Sequence, residues 1–227
     1  MINNTEWKYV YKLAGGETQR TNVLYTPTIS PTKDKLCMHF WTESPEYMAT
    51  SCVPRTDELM QFWFEREAMY LEQFQGYSWC PTLYDIDRDE RKILIEFNQE
   101  SLNWAVYTEG RSLEDHSQNW KEELYSVVKE IYDLGYYKNA LYPHCFFYGE
   151  DGNLKTIDYY SVMPIDNPYV LKSVVAPIIG VDSQQRYKEV EKDEYYDASL
   201  FFKNTLANWV EWPDDFAKEI YTRIYSD

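Results

Sequence analysis

Residues 137–161 read YKNALYPHCFFYGEDGNLKTIDYYS, and this stretch constrains the fold more than any other part of the chain. Two short segments, 146–148 and 154–157, flank Asp151-Gly152-Asn153. Asp-Gly and Gly-Asn pairs accept the positive φ that a tight hairpin turn demands, so two antiparallel strands are predicted here.

The rest of the chain sets that hairpin in an α+β order. Residues 7–13 and 21–28 are rich in Tyr, Val and Leu and flank Ala14-Gly15-Gly16-Glu17-Thr18, which reads as strand, glycine turn, strand. Pro27 and Pro31 interrupt the pattern, and residues 35–41 form a third strand after a turn at Lys33-Asp34. Residues 57–74 predict a helix capped by Thr56 or Asp57, with Leu59, Met60, Trp63, Phe64, Met69, Tyr70 and Leu71 at helical spacing. Gly76 and Pro81 end it. Strands at 82–86 and 92–97 follow, joined by the charged run 87–91. A second helix spans 117–134 on Trp120, Leu124, Val127, Val128, Ile131 and Leu134, and Gly135 stops it. Residues 196–209 and 213–225 read as two closing helices, with Pro213 in a first turn. The order is strand-rich first and helix-rich second, which gives α+β.

Charge narrows the partners. The chain has 38 Asp and Glu against 22 Lys and Arg, a net charge of -16. Phosphate backbones and anionic lipids are bound chiefly by Lys and Arg, so nucleic acid and membrane surfaces are disfavoured. Solubility or a basic protein partner fits better. The 22 Tyr and 8 Trp supply a core and, through their polar tips, amphipathic surface. Cys37, Cys52, Cys80 and Cys145 lack the short spacing of a zinc or redox motif, and His39, His116 and His144 are equally scattered. With no secretory pattern at the start and no run of about 18 apolar residues, the cytoplasm is the expected compartment. His144 and Cys145 do not suit a nucleophile–base pair, because neighbours in an extended segment point to opposite sides.

The 137–161 stretch resembles the segment between catalytic loop and metal loop in protein kinases and in the aminoglycoside and choline phosphotransferases. In those families a loop holds a catalytic Asp, then a Pro and a metal-binding Asn, and a hairpin leads to a metal-binding Asp. Here Ile157-Asp158-Tyr159 follows the hairpin, Pro143 stands at the loop proline, Cys145 at the metal Asn, and Ala140 at the catalytic Asp, with Leu141 after it. Residues 13–22 (LAGGETQRTN) resemble the glycine-containing phosphate loop. Phe64-Glu65-Arg66-Glu67-Ala68 resembles the start of the regulatory helix, with Glu67 as its ion-pairing carboxylate. Leu36-Cys37-Met38-His39 lies where a V-A-I-K run would, so His39 stands at the lysine. Leu94-Ile95-Glu96-Phe97 resembles the hinge between lobes.

The resemblance, which spans residues 7–161, implies a two-lobed protein-kinase-like fold. Residues 1–97 would be a strand-rich N-lobe with one helix, and residues 98–227 a reduced helical C-lobe with a hairpin near 146–157. It implies ATP and Mg²⁺ as ligands, with Gly15, Gly16, His39, Glu67, Glu96 and Phe97 around the nucleotide and Asp158 on the metal. It also implies a loss of chemistry. Ala140 orients no hydroxyl, a thiol is a soft ligand poorly matched to Mg²⁺, and an imidazole is mostly neutral at pH 7 unless Glu67 raises its pKa. Losing a general base alone costs about 10²- to 10⁴-fold in rate. A pseudokinase serving as a binding or regulatory module is therefore expected. The alternatives are an atypical phosphotransferase or nucleotidyl transferase using Asp158, and an acidic α+β interaction protein unrelated to kinases. Each site residue also has a plainer reading. Asp158 turns the chain after a strand, Gly15 and Gly16 make an ordinary hairpin turn, Glu67 is a solvated helix charge, and His39 packs between aromatics.

Overall fold

Strand β3 (Lys35–His39) is the middle of a five-stranded sheet. The computed structural model describes residues 8–9, 26–41, 57–98, 113–138, 141 and 145–164. The sheet runs in the order β1 (Lys8–Tyr9), β2 (Thr26–Ile29), β3, β5 (Lys92–Glu96), β4 (Leu83–Asp87), and every pairing is antiparallel. Cys37 sits opposite Thr28 on one side and Leu94 on the other. The β2–β3 connection turns at Lys33, which takes φ 64°, while Ser30 donates to the Asp34 carboxylate at 2.7 Å and satisfies the tight loop. Between β4 and β5 the charged run turns at Arg91, φ 51°. β4 is an edge among the described strands, with a register shift between Leu83 and Asp85.

Helix α1 (Asp57–Gln73) follows the predicted bounds within a residue. Met60, Trp63, Phe64, Glu67, Ala68, Leu71 and, just past its end, Phe74 are buried along one stripe. Gly76 leaves the helix at φ 99°, a conformation open to glycine, and Gln75 donates to the Leu71 and Pro81 carbonyls. The Phe40 ring meets Phe64 edge-on at 5.9 Å, so one face of the sheet, with Leu36, Met38, Ile93 and Ile95 buried in it, belongs to the α1 core.

The predicted hairpin is β7 (Phe146–Tyr148) and β8 (Leu154–Thr156), with Gly152 at φ 77° in its turn. Backbone contacts group it with the sheet and α1 in one unit, Met1–Trp120 with His144–Tyr160. A second unit, Lys121–Pro143 with Ser161–Asp227, holds all but the first residue of α2 (Trp120–Asp133). In it α2 buries Leu124, Val127, Val128 and Ile131 and stops at Gly135, φ 86°. The helix begins three residues later than its predicted start. A 3₁₀ turn, Leu113–Asp115, precedes it, and the Leu113 carbonyl accepts from both the His116 and Ser117 amides. Two further strands escaped the sequence reading: β6 (Tyr136–Lys138) and β9 (Val162–Pro164) pair antiparallel. The closing helices expected at 196–209 and 213–225 lie outside the described residues. The result is a mixed α+β structure, and no described helix is long and apolar enough to cross a membrane.

Candidate functional site

Asp158 follows β8 directly and adopts φ 68°, the left-handed region that few side chains enter without steric cost. Its neighbours account for how that conformation is held. The Thr156 amide donates to the Trp79 carbonyl at 3.0 Å and the Ile157 amide to the Cys145 carbonyl at 2.9 Å. Tyr159 is fully buried, its hydroxyl 3.4 Å from the Trp79 carbonyl and its ring against Phe74 and Trp79. The Tyr160 amide donates to the Glu67 carboxylate at 2.6 Å, and the Tyr160 carbonyl accepts from Arg66 Nε at 3.1 Å. Anchors on both sides therefore hold Asp158 at its unfavourable φ.

The Asp158 carboxylate is itself buried, at 6% exposure, and accepts a hydrogen bond from the Cys145 thiol at 3.2 Å. The two residues expected at the metal positions thus come together. As a donor set, a carboxylate and a thiol do not make a Mg²⁺ cage, because that ion demands oxygen ligands in octahedral array. One carboxylate can hold Mg²⁺ only alongside oxygens from a ligand such as nucleotide phosphates. Among the described residues no group of three or more His, Cys, Asp or Glu side chains could hold a metal ion.

Glu67 belongs to this site by a route the sequence did not suggest. Rather than a solvated helix charge, it is wholly buried on the α1 stripe and meets the Tyr160 amide. Its spacing was the available signal: positions 60, 63, 64, 67, 68 and 71 share one helical face, and a carboxylate on such a face demands a buried donor.

His39 sits elsewhere. Strand alternation puts it with Cys37 on the face opposite Leu36, Met38 and Phe40, and its ring stacks on Trp41 at 5.7 Å. Burial lowers its pKa, and the Lys92 charge lowers it further. Lys92, Glu90, Arg91 and Asp87, and not Glu67, are the charges that act on this imidazole most.

Glu96 and Phe97 turn their side chains to a different task. Glu96 is buried and accepts from the Thr82 amide and hydroxyl, both at 3.0 Å, and from the Glu150 amide at 3.3 Å. Lys155, also buried, lies 3.9 Å from Glu96 and 2.7 Å from Asp151. Burial tends to raise the Asp151 pKa, but hydrogen bonds from Lys155 and Asn153, with the Lys155 charge, outweigh it and hold the carboxyl below its usual range. Phe97 packs on Phe147 at 5.3 Å, and Asn98 Nδ2 donates to the Tyr148 carbonyl at 3.1 Å. These contacts staple the end of β5 to the β7–β8 hairpin. Gly149 sits inside the staple, where a Cβ would come within 2.5 Å of both Glu96 Oε1 and Lys155 Cε. Gly15, Gly16, Ala140, Pro143 and His144 lie outside the described residues.

No family model matches this chain, and no curated protein matches it. Solved structures do. The bifunctional kinase-methyltransferase WbdD, in a medium-resolution structure, aligns with a TM-score of 0.50 at 10% identity, over 97% of this chain and 46% of that one. A high-resolution WbdD structure aligns at 0.49 with 9% identity, over 88% of this chain and 43% of that one. WbdD with a kinase inhibitor aligns at 0.47 with 11% identity, over 90% and 44% respectively. This chain spans less than half the length of each. At such identities the likeness concerns the fold alone.

Proposed function

We propose that this chain is a kinase-like protein of two-lobed plan that has lost ordinary phosphoryl transfer, a pseudokinase working as a binding or regulatory module. The observation that supports this most is the Cys145–Asp158 contact. Where the resemblance expects two hard oxygen ligands, a buried thiol donates to the surviving carboxylate. Ala140 at the catalytic-Asp position removes the group that would orient an acceptor hydroxyl. The fold-level likeness to a kinase-methyltransferase agrees with the plan.

A second reading, nucleotide binding with Mg²⁺, draws on the strained and well-anchored Asp158, since such strain clusters at functional positions. In it Asp158 would take a cation together with nucleotide phosphates, and the three buried thiols Cys37, Cys80 and Cys145 suit a cytoplasmic setting. The net charge of -16 points to a basic protein as partner.

Thermal shift with ATP, with and without Mg²⁺, on the wild type and Asp158→Ala tests the nucleotide reading. A ligand at a hundred times its Kd stabilises by about 2.7 kcal/mol. A phosphate-transfer assay on the same proteins tests the pseudokinase. No transfer is expected, and turnover that disappears in Asp158→Ala overturns the proposal.

A further inference from the structure

The Arg66-Glu67 pair grips the backbone of one residue, Tyr160, from both ends. Glu67 takes the Tyr160 N–H at 2.6 Å, and Arg66 gives Nε–H to the Tyr160 carbonyl at 3.1 Å. Adjacent residues on a helix diverge by about 100°, so reaching the two ends of one residue requires the chain at Tyr160 to cross α1 closely. The packing provides that crossing: the Trp63 and Tyr160 rings meet edge-on at 5.2 Å. Arg66 is in turn steadied by the rings of Phe62 and Tyr70, 5.5 and 5.4 Å from its guanidinium carbon. Asp158, two residues before the gripped one, stands at φ 68°.

We infer that Arg66 and Glu67 are positioning residues that hold the Asp158 segment in its left-handed conformation by clamping the backbone at Tyr160. The inference rests on the reading of Asp158 as the surviving ligand position only where it concerns nucleotide. Its structural half stands apart from that reading. Glu67 acts through the backbone of the segment and not through His39. The clamp fixes the direction of the Asp158 carboxylate relative to Cys145, so any cation-bearing nucleotide that uses Asp158 meets a preset oxygen.

Hydrogen exchange on the full chain tests it, with peptides over 157–161 read against the hairpin 146–156 as an internal control. Glu67→Ala is expected to speed exchange at 157–161 by about tenfold or more, the order that follows from losing one buried charge-assisted hydrogen bond. The hairpin should stay within about twofold, as a separately held local unit does. Glu67→Gln keeps an acceptor oxygen and should restore most of the protection. Should Glu67→Ala fail to fold, Arg66→Ala, which removes the carbonyl contact and the packing on Phe62 and Tyr70 but leaves the Glu67–amide bond, is read in its place. Unchanged exchange at 157–161, or equal acceleration in the hairpin, overturns the clamp. Mg²⁺-ATP affinity is measured on the same proteins. Loss of affinity in Glu67→Ala with recovery in Glu67→Gln supports positioning of Asp158. A wild type that binds no Mg²⁺-ATP defeats the nucleotide reading and leaves the exchange data to decide the clamp.

Discussion

The Cys145 thiol donates to the Asp158 carboxylate at 3.2 Å, across 13 residues of chain, with both side chains buried. A buried carboxylate that loses a donor bears a desolvation penalty of about 1–3 kcal/mol. Cys145→Ala is therefore expected to lower the unfolding free energy by about that amount in urea denaturation. Cys145→Ser, which keeps a donor, should lose less. Equal losses would show that packing, and not the hydrogen bond, explains the effect.

Gly149→Ala should destabilise the protein although it adds only a methyl group. The new Cβ would meet Glu96 Oε1 and Lys155 Cε at 2.5 Å and Asp151 Oδ1 at 2.9 Å. Glu96 cannot withdraw without giving up Thr82 and Glu150. Overpacking of this kind costs about 1–3 kcal/mol, measurable as a fall in the denaturation midpoint at unchanged slope.

The two carboxylates around Lys155 should respond very differently to removal. Glu96 is buried and holds three donors besides the lysine, so Glu96→Ala is expected to cost about 3–5 kcal/mol. The Asp151 side chain is 46% exposed, and Asp151→Asn should cost below about 1 kcal/mol. A reversed order in chemical denaturation would refute the staple.

Acid should loosen the hairpin through Asp151. Its folded pKa lies below the ordinary 3.8, so the unfolded chain binds the proton first as pH falls. The stabilisation is complete above the unfolded value and is lost as pH falls through the folded one. Asp151 carboxyl shifts followed by NMR should titrate below 3.8, and Lys155→Met should move them upward.

His39 should stay neutral at pH 7. Burial and then Lys92 lower its pKa from 6.5, so protonation favours the unfolded chain, and stability declines as pH falls from 6.5 through the folded value. Lys92→Met should raise the imidazole titration midpoint by NMR while leaving it below 6.5, because burial, the larger cause, remains.

Local pattern made much of this fold legible. The α1 stripe, Gly135 after α2 and the Asp151-Gly152-Asn153 turn each state their structure within a few residues, and all are found where that chemistry puts them. The misses are long-range. β6 is three residues in a tyrosine-rich stretch whose partner, β9, lies beyond the hairpin, so neither has periodicity to announce it. The Glu67–Tyr160 bond spans 93 residues and the Glu96–Glu150 bond spans 54. Sequence could mark Glu67 and Glu96 as acidic residues among apolar neighbours, but not which amides they would meet. The resemblance drew attention to Asp158 and Cys145, which the fold brings into contact, while the side chains of Glu96 and Phe97 tie strand to hairpin.

Strand β4, an edge among the described strands, bears on crowding. An exposed strand margin offers unpaired amides and carbonyls to any passing chain, and self-templating at such margins starts fibrils. Here that margin is irregular at Leu83/Asp85, and Asp85 and Asp87 line it with like charge. Two copies approaching margin to margin would bring these carboxylates together, so the same strand also discourages extension of the sheet into a polymer.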